Sequence, residues 1–218
     1  GNKVIVQKLT EGTKFITLDG VERRLKGHEL MICNEKEPMC IGGVFGGKDS
    51  GVSEETTSIF LESAYFEPVT IRKGAKAHGL NTDSSFRFER GIDPNTTIDA
   101  LKKAVLMLVE ITGAEIASNI DDHYPTPIQN FNVKLRLAKV VELLGVEIPA
   151  EKIKSILTNL EIKILAEQDG ILDLEVPAYR VDVLRDVDLI EDILRIYGYD
   201  NIQIPSKFSF SYVPNKKV

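Results

Sequence analysis

No helix and no central strand can run through Tyr124-Pro125-Thr126-Pro127. Proline fixes φ, carries no backbone N–H and pushes the residue before it away from the helical region. The two sides of this break must therefore build separate cores. Their hydrophobic rhythms differ as well: short apolar runs broken by glycine come first, and alternating strand and helix periods follow. The expected division is a first domain at 1–126, a second at 127–205 and a linker at 206–218. The chain opens Gly1-Asn2-Lys3 and reaches a strand-like run at Val4. A piece excised from something larger is the expectation, with a processed full-length protein as the alternative.

Before the break, residues 4–43 read as β structure. Val4–Val6, Phe15–Leu18, Leu30–Cys33 and Met39–Ile41 are short apolar runs. Asp19-Gly20 is a hairpin turn, because both residues tolerate positive φ. Gly42, Gly43, Gly46, Gly47 and Gly51 make a glycine-dense loop. Ile59–Phe66 is rich in strand formers and is expected to be a strand. A basic helix is expected at 69–79, ending at Gly79. A longer one is expected at 94–112, with Asp93 as N-cap and Pro94 as first helical residue. Its apolar stripe is Leu101, Val105, Leu106, Leu108, Val109 and Ile111. After the break, Phe131–Leu137 alternates as a strand, and helices are expected at 138–144 and 149–160. Strands Ile162–Leu165 and Leu172–Val176 share a turn at Asp169-Gly170, and a last helix covers 184–197. The fold class is α+β: a mixed β-sheet domain with packed helices, then a small winged-helix-like α+β domain.

Hydrophobic residues at 43% and charged residues at 28% exclude a disordered chain. The net charge of −6 argues against a global grip on nucleic acid and leaves a local basic patch open. Cys33 and Cys40 are too few for a disulfide framework or a four-thiolate zinc site. They are expected to be reduced and buried in a cytoplasmic protein. No apolar run reaches the roughly 20 residues of a membrane helix.

Three constellations carry chemistry. The loop Ile41–Gly51 lacks the Lys-Ser/Thr pair of a phosphate-binding loop, but its glycines let a backbone approach a ligand closely. Near it, Glu62 shares a strand face with Phe60 and Ala64. It reads either as a solvated edge residue or as a pocket carboxylate that accepts a ligand hydroxyl or amine. The second is a basic strip at 71–90: Arg72, Lys73, Lys76, Arg87 and Arg90 face Asp83 and Glu89, net +3 in an acidic chain. A strip of this kind suits phosphates, and Phe86 and Phe88 alternate with its arginines, which permits stacking; pairing of Arg87 and Arg90 with Glu89 and Asp93 and aromatic core packing is the other reading. The third is the last helix, where Asp188, Glu191 and Asp192 share one face and Asp182 precedes them. Such oxygen ligands suit magnesium, while acidic first turns also follow from the helix dipole. His28, His78 and His123 lie apart, and no nucleophilic triad is apparent.

Gly42–Thr56, Leu61–Pro68, His78–Pro94 and Tyr179–Ile202 together resemble the β subunits of bacterial phenylalanyl-tRNA synthetases, in the right order and over residues 4–205. The resemblance implies that the first domain is an editing domain that hydrolyses tyrosine wrongly attached to the phenylalanine tRNA. A site for phenylalanine rejects an analogue that merely adds a hydroxyl only imperfectly, so a second sieve is useful. The family's pocket residues fall on Gly46, Glu62, Thr82 and Ser84, with Glu62 accepting the tyrosine hydroxyl; Ser84 replaces an alanine. The pocket histidine would lie upstream of residue 4. The resemblance also implies a magnesium site on Asp182, Asp188, Glu191 and Asp192, shared with an α subunit, with Asp192 replacing a glutamate. The tRNA contact candidates are Arg72, Lys73 and Lys76. The parent enzyme would be an α2β2 heterotetramer that joins phenylalanine to tRNA using ATP, a chemistry belonging to the α subunit. A stand-alone RNA- or protein-binding module without catalysis is the alternative; the net −5 over 127–205 counts against nucleic-acid binding by the second domain.

Overall fold

The computed structural model describes residues 3–202. The expected linker at 206–218 lies outside the described residues. The chain separates into two compact units, divided between Ile128 and Gln129.

The first unit runs β1 (Ile5–Gln7), β2 (Lys14–Ile16), β3 (Glu22–Arg24), β4 (Met31–Cys33), β5 (Pro38–Ile41) and β6 (Phe45–Gly46). A 3-10 turn at Lys48–Ser50 and helices α1 (Pro68–Ala77), α2 (Asp83–Phe88) and α3 (Thr97–Thr112) follow. Four strands form an antiparallel sheet in the order β1-β4-β5-β6. The hairpin β2–β3 is a separate ribbon, tied to the sheet by a bridge between Thr17 and Gly47. In its turn only Gly20 takes positive φ; Asp19 instead accepts from Thr17 Oγ1 and the Val21 N–H. Phe15, Leu25, Met31, Ile41, Val44, Phe66 and Ile71 form the core of this unit. Each fully buried aliphatic or aromatic side chain contributes about 1.5–3 kcal/mol.

Three expectations change here. Residues 59–66 form no strand. The sheet ends at β1 and at the two-residue β6, and a segment that pairs with neither forms no ladder. Ala64 and Phe66 still pack into the core, and Phe60 stays exposed. The long helix begins at Thr97, not at Pro94. The Asp93 carboxylate accepts from the Asn95 N–H, so Asp93-Pro94 makes a turn and Thr96 takes the N-cap position. No residue of α3 is fully buried. Leu101, Val105 and Leu108 are half-buried, while Leu106, Val109 and Ile111 of the expected stripe are exposed. The short helix α2 escaped the periodicity argument because six residues hold less than two turns. Its signal was a capping box: Thr82 Oγ1 accepts from the Ser85 N–H, and Ser85 Oγ accepts from the Thr82 N–H.

The second unit runs β7 (Phe131–Arg136), α4 (Leu137–Leu144), α5 (Ala150–Asn159), β8 (Lys163–Gln168), β9 (Ile171–Val176) and α6 (Asp186–Tyr197), followed by a 3-10 turn at Tyr199–Asn201. The strands form an antiparallel sheet in the order β7-β9-β8. Asp169 and Gly170 both have positive φ, as the tight turn between β8 and β9 requires. Leu135, Leu172, Leu174 and Val176 from the sheet meet Ile153, Ile156, Leu157, Leu189 and Ile193 from α5 and α6 in one core. The molecule is a mixed α+β protein with six helices among the described residues.

Candidate functional site

The start of α2 brings two of the four pocket candidates, Thr82 and Ser84, onto the glycine loop that carries Gly46. Thr82 Oγ1 donates to the Val44 carbonyl at 2.7 Å, and Ser84 Oγ donates to the Gly43 carbonyl at 2.9 Å. Gly46 lies two residues beyond Val44, opposite Cys40 in the β5–β6 register. The glycines of this loop serve different ends. A Cβ at Gly43 would stand 2.7 Å from Ile71 Cδ1, and one at Gly47 would stand 2.6 Å from the Met39 carbonyl oxygen. A Cβ at Gly46 would meet nothing within 4 Å. Packing therefore demands Gly43 and Gly47, whereas Gly46 leaves room.

Glu62 stands on the coil segment that enters this region, with its neighbour Ser63 anchored by donating to the Thr97 carbonyl at 2.7 Å. Much of the Glu62 residue surface is exposed, yet crowding around the carboxyl removes enough water to raise its pKa above the ordinary carboxylate value. Its charge acts on Cys40, whose thiol burial first and Glu62 second push up to about 11. Cys40 is thus a neutral thiol rather than a nucleophile. Both cysteines are free, Cys33 buried and Cys40 half-buried.

The acidic helix is organised differently from its spacing. Asp188 accepts from the Arg185 backbone N–H at 2.8 Å and from Arg185 Nη2 at 2.9 Å, and the Arg185 hydrogen bonds hold its pKa below the usual carboxylate range. Asp192 is buried against the Arg180 guanidinium, with Arg195 Nη1 at 3.8 Å. Asp182 and Glu191 are exposed. Among the described residues no group of three or more His, Cys, Asp or Glu side chains is placed to hold a metal ion. As they stand, these carboxylates do not fit magnesium, because Asp188 and Asp192 are bonded to arginines and Asp182 lies 4.0 Å from Arg180 Nε.

In the basic strip, Arg72, Lys73 and Lys76 are exposed on α1. The two aromatics part company. Phe88 packs edge-on against Phe66, with ring centroids 4.8 Å apart, while Phe86 is 51% exposed beneath the Arg90 guanidinium. Sequence separation hid a further pair. His78 Nε2 and Glu29 Oε1 lie 2.5 Å apart with almost no exposed surface. Burial alone would raise the Glu29 pKa. The Lys26 N–H, the Glu29 N–H and His78 outweigh it and hold the carboxylate below its usual value.

Fold and site together define an α+β chain in which a hydroxyl-lined glycine loop and an acidic-helix module occupy separate units. The B3/4 domain model matches residues 1–113, over half of the chain, and the chain belongs to that family. The tRNA synthetase B5 domain model matches residues 133–199. The chain is 59% identical over 211 residues to the phenylalanine–tRNA ligase beta subunit of Bacteroides fragilis strain YCH46, covering 97% of this chain and 26% of that protein. It is 58% identical over 211 residues to the beta subunit of Bacteroides thetaiotaomicron, with the same coverage of 97% and 26%. Against the beta subunit of Porphyromonas gingivalis strain W83 it is 51% identical over 205 residues, covering 94% and 25%. The chain thus spans about a quarter of the length of these curated relatives. A crystal structure of an N-terminal fragment of the phenylalanyl-tRNA synthetase beta-subunit from Pyrococcus horikoshii matches with a TM-score of 0.43 and 14% identity, over 90% of this chain and 56% of that one. Among the described residues no helix is long and apolar enough to cross a membrane.

Proposed function

We propose that this chain is the part of a phenylalanine–tRNA ligase β subunit that removes tyrosine wrongly attached to the phenylalanine tRNA. What carries the reading is the seating of Thr82 and Ser84 on the glycine loop, with open space at Gly46 and a partly desolvated Glu62 whose charge acts on Cys40, opposite Gly46. A partly dehydrated carboxylate gains most from a donor that enters its pocket. The tyrosine phenol supplies that donor; phenylalanine would leave the carboxylate unpaired. Thr82 and Ser84 already donate their hydroxyl hydrogens to main-chain carbonyls, so they meet a substrate as acceptors. The four residues therefore bind and orient the aminoacyl ester and its attacking water.

In the parent enzyme this part would work in the cytoplasm within an α2β2 heterotetramer. The α subunit would use ATP to activate phenylalanine, and Arg72, Lys73 and Lys76 would contact tRNA phosphates. Asp182, Asp188, Glu191 and Asp192 are proposed as the magnesium helix shared with the α subunit. They become a ligand set only once Arg180 and Arg185 release Asp192 and Asp188. The pocket is tested in the complete ligase. Glu62→Ala should lower the preference for deacylating tyrosyl-tRNA over phenylalanyl-tRNA by roughly tenfold or more, the worth of one hydrogen bond to a charged group. Unchanged discrimination removes Glu62 from the pocket.

A further inference from the structure

Helices α1 and α2 enclose an open cleft of about 430 Å³, separate from Gly46, Glu62, Thr82 and Ser84. Arg72 and Lys76, one turn apart on α1, line one side. Asn81, Phe86, Glu89 and Arg90 line the other. The Arg90 guanidinium lies 3.6 Å from the Phe86 ring centroid. Its Nη1 is held there by donating to the Phe86 carbonyl at 2.9 Å and to Glu89 Oε1 at 2.8 Å. Glu89 thus spends its charge on Arg90, and Arg72 and Lys76 remain as the cations facing the cleft. The Arg90 side chain is 55% exposed, so the outer face of this planar, anchored cation is open.

We infer that this cleft binds one unpaired nucleotide of an RNA strand, with its phosphate on Arg72 and Lys76 and its base stacked on the Arg90 guanidinium, extending the Phe86–Arg90 stack. The inference rests on the tRNA reading above and adds to it which kind of RNA element is held, and where. Inside a duplex each base is stacked on both faces by its neighbours, so a stacking platform inside a concavity selects a single strand over a duplex. The volume lies in the range of small-ligand sites, about 300–1,000 Å³, and accommodates one nucleotide but not a helix. Asn81 supplies an amide able to donate to or accept from a base edge.

The test is fluorescence anisotropy of the 218-residue chain with a short fluorescein-labelled single-stranded oligoribonucleotide and with a duplex of the same length. The single strand should bind more tightly. Phe86→Ala and Arg90→Lys should each weaken it about tenfold and leave duplex binding unchanged. Arg90→Lys keeps the charge and loses the plane, so it separates stacking from simple attraction, and thermal melting checks that each variant is folded. Arg72→Ala with Lys76→Ala should weaken binding and lower the salt slope by about 1–2. Equal binding of strand and duplex, unaffected by Phe86→Ala, would overturn the proposal. So would displacement by polyglutamate as effective as displacement by unlabelled RNA, which would mark the cleft as a site for an acidic protein. Glu62→Ala losing tyrosine discrimination while Phe86→Ala leaves RNA binding intact would sink the cleft and spare the editing pocket. The reverse pattern would sink the pocket reading and spare the cleft.

Discussion

Adjacent glycines in the loop answer to different forces. At Gly47 a methyl group would press on the Met39 carbonyl and on the Phe15 ring, 2.6 and 2.9 Å away. Gly47→Ala is therefore expected to lower stability by about 1–3 kcal/mol, read by urea denaturation. At Gly46 the methyl would enter open space. Gly46→Ala should change stability by less than about 0.5 kcal/mol and yet abolish tyrosyl-tRNA deacylation in the complete ligase. If Gly46→Ala edits normally, or destabilises as Gly47→Ala does, the open space is not where substrate sits. The sequence placed both glycines in one dense loop and could not separate them, because the difference lies in Met39 and Phe15, which approach Gly47 through the fold. Glu62 was legible as a carboxylate among apolar neighbours. Its crowding was not, because the segment carrying it is coil instead of the expected strand.

At the scale of elements, the Glu29–His78 contact ties the segment before β4 to the C-terminal end of α1. Arg23 Nη1 donates to the His78 carbonyl at 2.8 Å and adds the β2–β3 ribbon to the same junction. Glu29→Ala removes the acceptor shared by the Lys26 N–H, the His28 N–H and the His78 ring, so it should cost about 2–3 kcal/mol in urea denaturation. The pH dependence has a definite sign. Glu29 has a lowered pKa in the folded state, so its contribution is complete above the unfolded carboxyl value near 4.5. It is lost as pH falls through the folded value. The wild type should therefore lose its advantage over Glu29→Gln on acidification below pH 4.5; a constant difference across that range would assign the stabilisation to packing alone. Local signals found most elements here, among them the turn at Asp169-Gly170 and the alternation in β7. The pairing of Glu29 with His78 spans 49 positions, and no local pattern reports such a contact.

Over the whole chain, a net charge of −6 coexists with a strip at 71–90 that is net +3, so charge is organised by segment rather than by average. The second unit shows the same economy in reverse. Its acidic helix is read from spacing as a cation site, yet Arg180, Arg185 and Lys139 already answer Asp192, Asp188 and Asp186. Millimolar magnesium should accordingly leave the melting temperature of the 218-residue chain unchanged. In the assembled ligase, Asp188→Ala with Glu191→Ala should weaken the magnesium dependence of melting. A magnesium-induced rise in the isolated chain would mean that the arginines yield without a partner, because a cation stabilises only a state that binds it.

Helix α3 turns an apolar stripe toward water. Its sixteen residues include none that is fully buried, and Leu106, Met107, Val109 and Ile111 all stand exposed. An isolated helix of that length is marginal by propensity alone. What holds it is the half-buried row of Leu101, Val105 and Leu108, together with the left-handed cap at Gly113. The free energy of opening α3 therefore falls well below that of opening the sheet. Amide hydrogen exchange should accordingly be faster in α3 than in the sheet, since opening this helix exposes few side chains that water does not already touch.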